Sequence, residues 1–232
     1  MQILGFQKTT LLDYPGHVAA TIFLGGCNFC CPYCHNKDLV LTPDEVSVIP
    51  EETVFSVLKK RQGILDGVCI TGGEPTLQPD LKEFIQKIKS LGYLVKLDTN
   101  GYRPSVLKDL CKAQLIDYVA MDIKHAPEKY NLIANRRNFF IDLISESVSF
   151  LKEGLIPYEF RTTVIKEFHK EADFIAIGKW LSGADAYFLQ SYKDSERVIS
   201  PGFHAYTKKE LEHFCSILKS DIKKIEIRGI EE

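Results

Sequence analysis

Apolar residues along this chain fall into short runs separated by amphipathic stretches. Runs rich in β-branched and aromatic residues occupy Ala19–Leu24, Gly67–Thr71, Leu94–Asp98, Tyr118–Asp122, Pro157–Val164, Ala186–Gln190 and Lys224–Arg228. Each is short enough to be a buried strand. Between them, apolar positions recur at helical spacing near Glu51–Arg61, Asp80–Leu91, Pro104–Ala113, Phe139–Glu153, Glu171–Leu181 and Lys208–Lys219. Leu81, Phe84, Ile85 and Ile88 make one such stripe, and Gly92 supplies its stop. Strands separated by helices imply a parallel sheet with right-handed crossovers. Six such repeats fall short of a closed eight-stranded barrel, so the pattern predicts an α/β fold, an open partial (β/α)6 barrel.

Ahead of the first core run, Asp13-Tyr14-Pro15-Gly16 reads as a turn, with Pro before Gly in type II geometry. Residues 1–17 are then an opening hairpin, and 18–232 the partial barrel of a single domain. The chain has 232 residues, 45% apolar and 26% charged, the makeup of one soluble globular domain. Its net charge of −2 offers no argument for nucleic acid or an anionic membrane. No apolar run is long enough to span a bilayer. Met1–Thr10 lacks a basic-then-apolar signal pattern, so the expected location is cytoplasmic. The acidic tail Glu231-Glu232 is too short to suggest a role.

Cysteine usage changes this picture. Three of the seven cysteines, Cys27, Cys31 and Cys34, crowd into one stretch that Gly25-Gly26 opens. Their spacing is also that of a helix stripe, but Pro32 removes a backbone donor in the middle. The buried run Val18–Leu24 comes just before, so a loop at a strand end fits better. An odd cysteine count in a chain with no export signal argues against disulfides. Zinc stays open, although a structural site wants four ligands, and Cys30 and His35 adjoin ligands already counted. Soft thiolates also select iron–sulfur clusters, and three of them leave one iron of a four-iron cubane free. Cys69, Cys111 and Cys215 stand alone in apolar segments and read as small core residues.

Ligands of such folds bind at the carboxyl ends of the strands, and the remaining polar signals gather there. Thr71-Gly72-Gly73-Glu74-Pro75 follows the second core strand, Asp98-Thr99-Asn100-Gly101 ends the third, Asp122-Ile123-Lys124 ends the fourth, and Arg161 lies in the fifth. Gly72 and Gly73 leave room for a ligand to approach the backbone, and Glu74 can accept from a ligand ammonium. Asn100-Gly101 alone reads as a turn. Arg161 can pair with a carboxylate, whether of a ligand or of the protein.

Cys27-x3-Cys31-x2-Cys34, with Tyr33 before the last cysteine and Gly72-Gly73-Glu74 further on, resembles the radical S-adenosylmethionine (SAM) superfamily. The resemblance implies a 4Fe-4S cluster on Cys27, Cys31 and Cys34, with SAM on the fourth iron. It also implies SAM contacts from Tyr33, His35, Gly72, Gly73 and Glu74. Leu97-Asp98-Thr99-Asn100-Gly101 and Met121-Asp122-Ile123-Lys124 resemble two segments of the glycyl-radical-enzyme activases. By that likeness Asp98, Thr99 and Asp122 would hold a monovalent cation beside SAM, Lys124 would lie near the SAM carboxylate, and Asp98, Asp122, Ile123 and Arg161 would join the cofactor-binding set. Pyruvate formate-lyase activases carry a SAM-contacting histidine after the sixth strand, whereas Leu189-Gln190-Ser191-Tyr192-Lys193 has none. Leu12-Asp13-Tyr14-Pro15-Gly16, Phe23–Cys27 and Ile227-Arg228-Gly229 resemble instead the anaerobic ribonucleoside-triphosphate reductase activating proteins. Cys30 stands where a basic residue is often found, and no second cysteine cluster is present.

The expected activity is therefore reductive cleavage of SAM and formation of a glycyl radical on a partner enzyme, with a low-potential donor such as flavodoxin or ferredoxin. The first choice of partner is the anaerobic reductase. Alternatives are another glycyl radical enzyme such as pyruvate formate-lyase, a small molecule such as a pterin-like intermediate, or a non-catalytic iron–sulfur or zinc module.

Overall fold

The computed structural model describes residues 1–230; Glu231 and Glu232 lie outside the described residues. In chain order the elements are β1 (Ile3–Thr10), β2 (Ala19–Leu24), α1 (Lys37–Leu41), α2 (Glu51–Lys60), β3 (Gly67–Gly72), α3 (Leu81–Ser90), β4 (Leu94–Thr99) and α4 (Pro104–Lys112). They continue with β5 (Tyr118–Asp122), α5 (Tyr130–Ala134), α6 (Ile141–Lys152), β6 (Tyr158–Val164), α7 (Glu171–Trp180), β7 (Ala186–Ser191), α8 (Lys208–Leu218) and β8 (Lys224–Arg228). The eight strands form one sheet in sequence order. β1 pairs antiparallel with β2, and every later neighbour is parallel. Six strand–helix repeats from β2 onward are followed by β8 as a last strand, in keeping with the open partial barrel.

Strand alternation explains why the barrel is apolar outside and polar within. On β4, Val95 and Leu97 are fully buried, while Lys96 and Asp98 share the other face. On β6, Phe160 is wholly buried and Glu159 and Arg161 take the opposite face. The apolar face meets helix stripes such as Phe84, Ile85 and Ile88 of α3 and Ile144, Val148 and Leu151 of α6. Gly92 ends α3 at φ +86°, its N–H bonded to the Lys89 carbonyl.

Segments near both ends of the chain tie into the sheet. His17 N–H donates to the Tyr14 carbonyl across Pro15 and Gly16, with Gly16 at φ +78°, which is the type II turn expected. Asp13 accepts from Thr21 Oγ1, and the buried Tyr14 ring stands 6.0 Å from that of Tyr118. From β8, Arg228 binds the wholly buried Glu159 through two hydrogen bonds, 2.6 and 2.9 Å. At the carboxyl end of the strands the polar motifs meet in one cleft.

Candidate active site

The cysteine loop leaves β2 and is tied down along its length. Gly25 N–H donates to the Gln2 carbonyl and Gly26 N–H to that of Leu39. Cys30 N–H donates to the Ala134 carbonyl, and the carbonyls of Pro32 and Cys34 accept from Ser200 and Ile199. The tightest approach is to the end of β3. Gly73 N–H donates to the Leu24 carbonyl and Glu74 N–H to that of Gly26, each at 2.8 Å. A Cβ on Gly73 would stand 1.9 Å from the Gly26 carbonyl oxygen, and one on Gly72 2.3 Å from Leu24 N. Of the glycine pair expected to clear space for a ligand, Gly73 thus clears space first for the cysteine loop and Gly72 for the end of β2. Asn36 adds a further tie, donating to the Gly72 carbonyl at 2.6 Å.

Every site residue singled out from the sequence except Ile123 lines one cleft of about 250 Å³ at this rim. Ile123 is fully buried among apolar side chains. Its neighbours Asp122 and Lys124 alternate to the cleft side, and the Ile123 side chain turns away from it.

Cys31 is buried and Cys27 and Cys34 are half-buried. The Cys27 sulfur accepts from Phe29 N–H at 3.4 Å and faces Asn100 Nδ2 at 3.9 Å. Burial pushes the Cys27 thiol up to about 12, and the nearby Glu74 charge adds to it. Burial does the same for Cys31, to about 12, against the opposing pull of Lys124. Cys34 moves in the same direction for the same leading reason. All three are thiols at neutral pH, so loading a metal must displace their protons. Among the described residues no three His, Cys, Asp or Glu side chains are gathered to hold a single metal ion. Cys27, Cys31 and Cys34 all line the one cleft, and soft thiolates, three in number, leave one iron of a four-iron cube without a protein ligand. The donor set therefore fits an iron–sulfur cluster.

Glu74 serves the fold before it serves a ligand. Its Oε1 accepts from Thr76 N at 3.1 Å, Thr76 Oγ1 at 2.5 Å and Thr99 Oγ1 at 2.8 Å, and Oε2 accepts from Asn100 N at 2.7 Å. The side chain joins the ends of β3 and β4, with one lone-pair position on Oε2 left for a ligand donor. Burial raises its pKa, opposed by these hydrogen bonds. Glu74→Ala should lower stability by about 2 kcal/mol, because four donors lose their acceptor. Urea unfolding of the metal-free protein measures this.

Across the cleft, charges alternate between neighbouring strands. Asp98 pairs with Lys96 and with Arg161 (3.2 Å), and Asp122 pairs with Arg161 (3.0 Å) and Lys124 (3.0 Å). Despite burial, Arg161 and Lys124 hold the Asp122 carboxyl down at about 2. Cys69 is fully buried, as expected of a small core residue, and on the inward face of β3 its sulfur stands 3.7 Å from Asp98 Oδ1. Arg161 forms the ion pair within the protein that its position allowed. Asn28 and Asn100, joined at 2.8 Å, brace the loop beside Cys27 and were not anticipated as site residues. Thr163 and Gln190, paired in register on β6 and β7, complete the wall. His35 reaches the Lys193 carbonyl at 2.6 Å. The Tyr33 hydroxyl is buried on the cleft wall with no hydrogen-bond partner among the described residues.

Behind Lys124 lie two wholly buried histidines, His125 and His169, stacked 5.0 Å apart. His169 Nε2–H donates to the Lys124 carbonyl (2.9 Å) while Nδ1 accepts from Ile165 N–H (3.1 Å), so only the neutral ring fits. Burial lowers its pKa to about 4, and His125 moves in the same direction for the same reason. The unfolded chain takes up these protons near pH 6.5, so the native state loses stability as pH falls from there toward 4. His169 alone should cost about 2 kcal/mol between pH 7 and pH 5. Urea unfolding at the two pH values checks this, and His169→Gln, which keeps one donor and one acceptor, should remove that part of the loss.

The radical SAM superfamily model matches residues 21–175. A Methanocaldococcus jannaschii protein provisionally named a glycyl-radical enzyme activating enzyme is 33% identical over 234 residues, covering 98% of this chain and 96% of its own. The pyruvate formate-lyase-activating enzyme of Clostridium pasteurianum is 31% identical over 133 residues, 55% of this chain and 54% of its own. Among solved structures, Streptococcus suis SuiB bound to S-adenosylmethionine superposes with a TM-score of 0.69 over 88% of this chain, at 15% identity. This chain spans about half of SuiB, 48% of its length, and that likeness concerns the fold alone.

Proposed function

The chain belongs to the radical SAM superfamily, and from that premise we propose that it is the activase of a glycyl radical enzyme, with anaerobic ribonucleoside-triphosphate reductase as its protein substrate. Membership makes it an enzyme that works with a 4Fe-4S cluster and SAM. In the proposed site Cys27, Cys31 and Cys34 hold the cluster. The backbone at Gly72 and Gly73, together with Glu74, Tyr33 and His35, receives SAM. A bound cluster and SAM would supply one-electron radical chemistry directed at a backbone glycine of the partner.

The chain's own residues hold and orient. Lys124, whose ammonium is kept charged by Asp122, offers a positive group to a ligand carboxylate. The Tyr33 hydroxyl, buried without a partner among the described residues, is a donor in reserve for a polar ligand atom. Gln190 lines the cleft from β7, near where pyruvate formate-lyase activases carry their histidine, and takes over a polar contact there.

The observation that carries this reading is the meeting of three thiols and a cationic wall in one cleft, in a chain that matches an activase-named relative end to end. The choice of the reductase rests on Leu12–Gly16 and Ile227–Gly229. A low-potential flavodoxin or ferredoxin is the proposed electron donor. The test is to incubate the reduced, cluster-loaded protein with SAM and each candidate partner, then record electron paramagnetic resonance spectra. A persistent glycyl radical on the reductase and none on pyruvate formate-lyase is expected. The reverse pattern, or consumption of a small molecule with no protein radical, would overturn the choice of partner.

A further inference from the structure

Asp98 and Asp122 stand where an alkali-metal ion was expected, yet neither carboxylate has an unpaired oxygen. Asp98 Oδ1 pairs with Lys96 and Oδ2 with Arg161, while Asp122 Oδ1 pairs with Arg161 and Oδ2 with Lys124. Three fixed cations thus face two carboxylates, leaving one positive charge in excess. An alkali-metal ion needs several oxygen ligands and would here have to displace an ammonium or guanidinium while repelled by the others.

Lys96 is the member that the rest of the site does not explain. It is 1% exposed, although lysine is almost never fully buried unless paired. It lies two residues before Asp98 on the inward face of β4, and its ammonium also stands 3.8 Å from the Cys69 sulfur. We propose that Lys96 is a resident substitute for the monovalent cation, balancing and orienting Asp98 so that SAM binding in this chain needs no added alkali-metal ion. Lys96 is a positioning residue: it acts through Asp98 and Arg161. The inference rests on the reading of the cleft as a SAM site.

The test measures SAM binding calorimetrically on the cluster-loaded protein in potassium, sodium or tetramethylammonium chloride at one ionic strength. The wild-type dissociation constant should agree within about twofold across the three salts. Lys96→Met keeps the stem and removes the charge, freeing Asp98 Oδ1. It should bind SAM about tenfold more weakly in tetramethylammonium and recover in potassium or sodium. Lys96→Arg should remain indifferent to the salt. Thallium-205 resonance on cluster-free protein gives a readout apart from SAM: no saturable Tl⁺ binding to wild type, saturable binding to Lys96→Met. Wild-type SAM binding more than about fivefold tighter in an alkali salt, or saturable Tl⁺ binding to wild type, overturns the inference. So does a folded Lys96→Met that stays weak in every salt. If that variant does not fold, the wild-type measurements decide alone. Failure to bind SAM in any salt would remove the site reading itself, a result distinct from alkali-dependent binding.

Discussion

Replacing Cys31 by Ala is expected to reduce 5′-deoxyadenosine formation to background while leaving the fold in place. Cys31 lies midway along the loop, buried on the cleft wall beside the field of Lys124. Its removal leaves a four-iron cluster with two thiolates where three are needed to hold all but one of its irons. The packing loss is that of one sulfur atom, about 1 kcal/mol, so Tm of the metal-free protein should barely move. Cys27→Ala and Cys34→Ala should behave alike. Cys30→Ala should retain activity, because Cys30 does not line the cleft. The check is product chromatography under reducing conditions, with thermal unfolding alongside. Wild-type product from Cys31→Ala would show that these thiols are not the ligand set.

Gly73→Ala should be the most damaging single methyl in the chain. The added carbon would stand 1.9 Å from the Gly26 carbonyl oxygen. Neither backbone can yield without breaking the hydrogen bonds from Gly73 N–H to the end of β2 and from Glu74 N–H to the loop. Overpacking against backbone should cost about 3 kcal/mol, or roughly 10 °C in Tm at this chain length. Whatever folds should load little iron, because the loop carrying Cys27 has shifted. Gly63→Ala is the control. Gly63 has φ +78°, and an added Cβ there would meet nothing within 4 Å, so only the backbone penalty of about 1 kcal/mol applies. Calorimetric unfolding and iron content measure both. Equal losses in the two variants would mean that the contact between β3 and the cysteine loop is not specially tight.

The repeating strands and long helices were legible because each must bury one face, and a buried face imposes a period. Leu81, Phe84, Ile85 and Ile88 mark α3 by their spacing alone. One-turn helices such as α1 and α5 escaped, since five residues cannot display a 3.6-residue period. The site was legible in its membership more than in its wiring. Strand ends share a rim by topology, so Cys31, Gly73, Asp98 and Lys124 meet whatever their individual roles. Which neighbour a group serves depends on packing that a local pattern does not carry. Glycine at position 73 signals a close approach without naming what approaches, and the partner is Gly26 as a structural matter. Glu74 signals a charge to be satisfied, and its four donors come from Thr76, Thr99 and Asn100. Ile123 sat inside a matching motif, yet strand alternation turns it away from the cleft. Lys96 shares the inward face with Asp98 by simple alternation, but only the arrangement of Arg161 and Lys124 reveals that its charge completes a set.

The most direct test of the central claim is anaerobic reconstitution of the purified chain with iron and sulfide, followed by metal counting and incubation with SAM and a strong reductant. About four iron and about four sulfide per chain are expected, with 5′-deoxyadenosine formed only when both SAM and reductant are present. A chain that retains zinc, assembles no cluster and leaves SAM intact under these conditions would contradict it.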